Sequence, residues 1–210
     1  MRFVGFGCSW MYGSELEHSV DPSLSWHEKI KYQHQNCFLG LLGDNENLSD
    51  PGGSLKSMFY KFMNHQATAD TDEVFYIFAF TTPSRESWYD SDKKEWKHSS
   101  WISDTTLFEN SYKDYVTHTW SPEYEKIQYT AMVSAMLNTA RAKGFRYIGF
   151  NALKSPYIVK DPNMFWAGTS MEEHMKPEQL CDGGHPNEDG HKWIAGRIKE
   201  FIDTAYPGLL

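Results

Sequence analysis

Arg2-Phe-Val-Gly-Phe-Gly-Cys-Ser-Trp-Met-Tyr-Gly13 is the stretch on which the reading of the fold turns. Residues 2–8 read as a buried strand, apolar after Arg2 and without alternation, the pattern of a strand covered on both faces. The run stops at a small polar residue, Ser9, and a glycine follows four positions later. A buried strand that ends in Gly-Cys-Ser presents a hydroxyl at its carboxyl end. Covering both faces of such a strand takes helices on both sides, and the chain beyond it supplies them.

After a loop at 9–23, residues 24–42 read as a helix capped by Ser23 or Ser25. Its apolar face is Trp26, Ile30 and the Phe38-Leu39-Leu41-Leu42 cluster, and Gly43 stops it. A short polar strand is expected at 46–49. Asp50-Pro-Gly-Gly-Ser54 then turns into a helix over 55–66. Val74–Phe80 is wholly apolar, hence a central strand, and ends at Thr81-Thr82-Pro83-Ser84-Arg85. Ser121-Pro122-Glu123 opens a helix that runs to Lys143: a capping serine, proline in the first turn, then an acid near the positive end of the dipole. Ile127, Ala131 and Ala135, with Met132, Met136 and Ala140, are its expected apolar stripe. Residues 145–151 form the next strand. Asn187 caps a last helix with Trp193, Ile194, Ile198 and Ile202 as core face.

Two segments, at about 86–120 and 152–181, break this rhythm and read as irregular insertions in a single domain spanning 1–210. The first holds Trp88, Tyr89, Trp96, Trp101, Phe108, Tyr112, Tyr115 and Trp120 among charges and serines. These aromatics are either packing or the wall of a substrate cleft. The alternation of strands and helices implies an α/β fold with a parallel sheet and helices on both faces. Ligands of such sheets bind beyond the carboxyl ends of the strands. Ser9, the Gly52-Gly53 turn, Thr81-Thr82 and Asn151 all fall there.

Composition narrows the classes. The 210 residues are 40 % apolar and 16 % aromatic, which disfavours disorder. The net charge of -8, with no basic block, disfavours nucleic-acid binding. Three cysteines, Cys8, Cys37 and Cys181, are odd in number and irregular in spacing, so a reducing compartment is the simpler reading. No apolar run reaches the ~20 residues of a membrane span, and the first residues read as a core strand rather than a leader. The expected location is the cytoplasm, or, for a viral chain, the host cytoplasm or virion. Oligomeric state is not legible.

The chemistry follows from Ser9. A serine hydroxyl barely ionises at neutral pH and needs a histidine base oriented by a carboxylate. Asp182-Gly-Gly-His185-Pro-Asn, just ahead of the last helix, offers both, with Asp182 expected to reach the Nδ1 of His185 and leave Nε2 for Ser9. The oxyanion needs fixed donors: the Ser9 N–H, the Gly52 or Gly53 N–H, and a side chain near the end of 74–80. Taken singly, Ser9 is as well explained as a turn or cap residue, His185 as a loop histidine, Gly52-Gly53 as a tight turn, and Arg85 as the partner of a nearby acid. Cys181, His185 and His191 lack the spacing and the fourth ligand of a common metal site, and neither metal nor cofactor is expected.

Four blocks in this order resemble the SGNH hydrolases, also called GDSL esterases and lipases. Gly7-Cys8-Ser9-Trp10-Met11-Tyr12-Gly13 resembles the family's Gly-Asp-Ser-x-(Thr/Ser)-x-Gly, in the Gly-Cys-Ser form of small phage-type members. Asn47-Leu-Ser-Asp-Pro-Gly52-Gly53-Ser54 resembles the strand-loop with the oxyanion glycine, which falls at Gly52. Asp182-Gly-Gly-His185-Pro-Asn matches the Asp-x-x-His-Pro block. The third block departs: Ala79-Phe80-Thr81-Thr82 stands where the family has Gly-x-Asn-Asp, which leaves Thr81 as the candidate for the oxyanion asparagine's place or the site rebuilt around Thr82 or Arg85, with Thr82, Arg85 and Gly53 as candidate substrate contacts.

The resemblance implies a three-layer α/β/α sandwich of flavodoxin-like type around a central parallel sheet. It also implies hydrolysis of an ester through an acyl-enzyme on Ser9, without a cofactor. Glycan O-acetyl groups are the first substrate expectation. Two alternatives stand beside it: a weakly active or inactive glycan-binding or phage structural module on the same fold, and an acyltransferase using the same triad.

Overall fold

The computed structural model describes residues 1–90, 92, 94–99, 120–166 and 168–210. In chain order the elements are β1 (Arg2–Phe6), α1 (Ser9–Tyr12), α2 (Trp26–Asn36), β2 (Asn45–Asn47), α3 (Leu55–His65), β3 (Val74–Phe80), β4 (Glu86–Asp90) and β5 (Glu95–Ser99). They are followed by α4 (Pro122–Ala142), β6 (Arg146–Asn151), α5 (Met171–His174) and α6 (Glu188–Ala205). Four strands form one parallel sheet in the order β2-β1-β3-β6. Phe6 stands opposite Phe78, and Phe80 opposite Asn151, so the strands end at nearly one level.

The apolar strands alternate between two cores. Phe3, Phe75, Ile77, Ala79, Ile148 and Phe150 pack with Met11 of α1, with Phe38 and Leu39, and with Ile194, Ile198 and Ile202 of α6. Val4, Phe6, Tyr76, Phe78, Phe80 and Tyr147 pack on the other face with Leu55, Met58 and Phe62 of α3 and Tyr129, Val133, Met136 and Leu137 of α4. This is the expected α/β/α sandwich. All seven residues of β3 are buried, because both faces are covered. Burying a phenylalanine such as Phe78 contributes about 1.5–3 kcal/mol.

The structure corrects several expectations. The helix at 24–42 starts at the capping box of Ser25 and Glu28 but stops at Asn36. Cys37 is extended, and the Phe38 N–H donates to Nδ1 of His191 at 3.1 Å instead of to a helical carbonyl. A tertiary acceptor thus ends the helix, and Trp26 is left exposed. The stripe on α4 is rotated: Tyr129, Val133, Met136, Leu137 and Ala140 are buried, while Ile127 is exposed. Tyr129 can turn inward because its hydroxyl donates to Oδ1 of Asn151 at 2.7 Å.

Part of the segment expected to be irregular is an antiparallel hairpin, β4–β5, with Trp88 opposite Lys97 and Tyr89 opposite Trp96. Trp101, Phe108, Tyr112 and Tyr115 lie outside the described residues. In the second segment Trp166 stacks on Trp193 of α6, ring centres 5.7 Å apart. Among the described residues no helix is long and apolar enough to cross a membrane.

Candidate functional site

Ser9 is the first residue of α1, a single turn that begins where β1 has ended. It is 5 % exposed, and its Oγ is buried without a hydrogen-bond partner. An unsatisfied buried hydroxyl costs about 1–3 kcal/mol, so its persistence calls for a reason. α1 closes at Gly13, whose N–H donates to the Ser9 carbonyl at 3.1 Å. Asn47 ties this turn to β2, its Nδ2 donating to the Met11 carbonyl at 3.0 Å.

Six residues past Ser9 the backbone of Glu15 takes a φ of 73°. A side chain in this left-handed region costs about 1–2 kcal/mol, and such strain concentrates at functional sites. What holds it is the loop before α6. Oε2 of Glu15 accepts from the His185 backbone N–H at 3.2 Å and lies 2.8 Å from its Nδ1. Burial by itself would raise the Glu15 carboxyl. The hydrogen bonds from the His185 ring and backbone, the charge of that ring and the Gly183 N–H outweigh it and hold the group below its ordinary value. Glu15 is therefore an ionised acceptor. Nδ1 of His185 carries the proton of the shared bond, so whenever the ring is neutral the lone pair is on Nε2.

Asp182 does not take the expected place. Its residue is exposed on a tight turn closed by the Gly184 N–H on the Cys181 carbonyl at 2.9 Å, and Nδ1 of His185 belongs to Glu15. The turn that was expected to fold Asp182 back instead opens the loop to Glu15. Gly183 is a glycine for this reason: a Cβ there would stand 2.1 Å from Oε1 of Glu15. Glu15 was missed because nothing local links it to a histidine 170 residues away. Its proximity to Ser9 in sequence was the available signal.

The Asp50–Gly53 turn packs against β1, with the Asp50 N–H on the Gly7 carbonyl at 3.3 Å. The Gly53 N–H is engaged inside the turn with the Asp50 carbonyl at 2.9 Å. Gly52, at φ 73°, makes no such bond among the described residues, so it rather than Gly53 is the available donor. Thr81 is fully buried, and its Oγ1 also has no partner. Ser9 and Thr81 occupy matching positions, three residues beyond the paired Phe6 and Phe78. Two orphaned hydroxyls thus lie beyond the ends of neighbouring strands. Thr82 pairs instead with Ser84, the hydroxyls 3.2 Å apart, and Asn151 is held by Tyr129.

Arg85 is not the expected partner of an acid: its Nε and Nη1 are buried and unpaired. Beside it, the hairpin is clamped to the glycine turn. His98 Nδ1 lies 2.7 Å from Ser87 Oγ, its Nε2 lies 3.7 Å from Asp50, and Asp50 pairs with Lys61 at 2.6 Å. Burial holds His98 below its ordinary value; Asp50 opposes this, and Lys61 and Arg85 add to it. Cys181, His185 and His191 form no ligand set, and among the described residues no three such side chains could hold a metal.

No family model and no curated protein matches the sequence. Solved structures match the fold. A protein assigned to the G-D-S-L lipolytic family from Desulfitobacterium hafniense DCB-2 aligns with a TM-score of 0.50 at 9 % identity, over 95 % of this chain and 98 % of that one. The psychrotrophic esterase EstA from Pseudoalteromonas sp., inhibited by monoethylphosphonate, gives 0.52 at 9 %, over 97 % of each chain. A carbohydrate esterase, whose active site displays divergent catalytic and non-catalytic binding functions, gives 0.50 at 10 %, over 98 % of this chain and 65 % of that one. The chain has the SGNH, or GDSL-type, hydrolase fold.

Proposed function

We propose that this chain is a serine ester hydrolase in which Ser9 is the nucleophile, His185 the general base and Glu15, not Asp182, the orienting carboxylate. The observation that carries the reading is the 2.8 Å contact of His185 Nδ1 with Glu15, on the same segment as an unpartnered Ser9 hydroxyl. The ionised carboxylate fixes the tautomer, so Nε2 is the atom free to take the Ser9 proton. Oγ then bonds to the ester carbonyl carbon. The carbonyl oxygen gains the charge, facing the N–H groups of Ser9 and Gly52 and the Thr81 hydroxyl. Collapse breaks the bond to the alcohol, which leaves with the proton from His185. Water, deprotonated by the same nitrogen, releases the acid. Acyl groups on a glycan hydroxyl, acetyl first, are the proposed substrate, in a single-domain enzyme.

The test is hydrolysis of p-nitrophenyl acetate together with labelling by a fluorophosphonate. Wild type turns over and gains one adduct on Ser9; Ser9→Ala does neither. Turnover that survives in Ser9→Ala removes Ser9 from its role.

One observation favours a second reading, a binding module with little chemistry. Ser9 Oγ makes no hydrogen bond to any group, His185 included. That reading predicts saturable glycan binding, unchanged in Ser9→Ala, and no fluorophosphonate adduct on the wild type.

A further inference from the structure

Arg85 keeps two donors that the fold does not use. Its Nε and Nη1 sit on different edges of the guanidinium, and both are buried without a partner. Both forks of the group therefore keep an unused donor. Leaving such donors buried costs more than leaving a neutral group, because the charged form has lost its water. Nearby acids do not relieve it. Glu86 pairs with Lys56 at 2.5 Å, and Glu125 accepts from Tyr157 at 3.0 Å and Trp120 at 3.3 Å.

Arg85 also faces space. It lines a cleft with Leu55 and Lys56 at the start of α3, Glu86 on β4, and Glu125 and Tyr129 on α4. Leu55 and Lys56 follow Gly53 by two and three residues, so the cleft opens beside the glycine turn. His98 places it from the other side. A Cβ on Gly52 would stand 3.4 Å from His98 Cβ, and the Arg85 charge acts on that imidazole. The orphaned guanidinium and the turn that offers the oxyanion donor thus share a neighbour, His98.

We propose that Arg85 binds an oxyanionic group, a carboxylate or a phosphate, carried by the substrate beside its ester. A guanidinium fork matches the two oxygens of such a group and is stronger than a neutral donor. The ester would then sit on an acidic alcohol such as an acylated uronic acid or sugar phosphate. The assignment of substrate to this cleft rests on the hydrolase reading above; the anion site itself does not.

Binding is measured first, by calorimetry on Ser9→Ala protein, where no turnover is needed. The probes are methyl glucuronate, glucose 6-phosphate and the neutral methyl glucoside. At least one anion is expected to bind about 10²-fold tighter than the glucoside. Arg85→Met removes that preference, and Arg85→Lys restores part of it. Which anion wins tells carboxylate from phosphate. Equal binding of all three, or none by either anion, overturns the proposal, as does a preference unchanged in Arg85→Met.

Thermal melting separates a structural role. An unpaired guanidinium predicts an Arg85→Met melting temperature equal to or above wild type; a fall of more than about 5 °C marks Arg85 as a fold residue and overturns the proposal. Kinetics with acetylated methyl glucuronate then reads KM, which is expected to rise in Arg85→Met and to recover in part in Arg85→Lys. Loss of p-nitrophenyl acetate turnover in wild type would count against the hydrolase reading and leave the binding result standing.

Discussion

Replacing Glu15 by glutamine tests the centre of the proposed mechanism. The side chains of Glu15 and His185 are 17 % and 24 % exposed, so their interaction is screened by protein and some water. An oxygen 2.8 Å from Nδ1 sets the carboxylate charge about 4 Å from the centre of an imidazolium. At an effective dielectric of about 20 that attraction is roughly 4 kcal/mol, present only once His185 has taken the Ser9 proton. Its loss corresponds to about 10³-fold in kcat/KM.

Glutamine also cannot satisfy both neighbours. With its oxygen on His185, its NH₂ faces the Gly183 N–H that Glu15 now accepts. Flipped, the NH₂ faces Nδ1 and selects the tautomer protonated on Nε2, which cannot act as base. Stopped-flow hydrolysis of p-nitrophenyl acetate and the rate of fluorophosphonate labelling should both fall by about this factor. Asp182→Asn should change them by less than about threefold, since that residue is exposed. A Glu15→Gln enzyme within fivefold of wild type, beside an Asp182→Asn enzyme down about 10³-fold, would refute the assignment and restore Asp182.

Three further outcomes follow from the same geometry. Gly183→Ala puts a methyl 2.1 Å from Oε1 of Glu15 and should displace that flexible carboxylate; activity should fall about 10²-fold or more while chemical denaturation shows a loss of less than about 1 kcal/mol. Thr81→Val removes an unpartnered buried hydroxyl; kcat should drop about 10²–10³-fold with an unchanged or higher melting temperature, and unchanged kcat would remove Thr81 from the oxyanion site.

The third concerns acid. Burial, with the charge of His185, pushes His191 down to about 3, and its neutral Nδ1 accepts from Phe38. Between 6.5 and that value the unfolded chain binds a proton the folded one refuses, so stability present above pH 6.5 is lost as pH falls. By pH 5 this amounts to about 2 kcal/mol. His98 and His34, both held low chiefly by burial, act with the same sign. Urea unfolding at pH 7 and 5 should show the loss, and His191→Gln should reduce it.

The central strands were legible because β3 is apolar at every position and β1 and β6 carry apolar runs behind a first arginine, which a doubly covered sheet demands. Helix starts were legible for a related reason: the caps at Ser25, Ser121 and Asn187 are local chemistry. The end of α2 was not, since it depends on a histidine 153 residues away. The face of α4 was misjudged because Tyr129 looks amphipathic until Asn151 gives its hydroxyl a partner. The hairpin hid in a segment whose aromatics drew attention from its alternation. At the site, Ser9 and His185 stood out through motif blocks. The carboxylate was assigned to Asp182 because three residues is a short path, whereas the actual partner comes from a residue in a conformation that side chains rarely adopt.

The Glu15–His185 contact joins positions 170 apart, and this bears on how the protein is made. A ribosome delivers the end of β1, Ser9 and Glu15 before the other strands of the sheet. The imidazole emerges only after the whole sheet has been synthesised, and its loop is set by the helix that follows. A nascent chain therefore lacks the Glu15–His185 contact until α6 docks, and any event that delays or removes that docking leaves Glu15 without this partner.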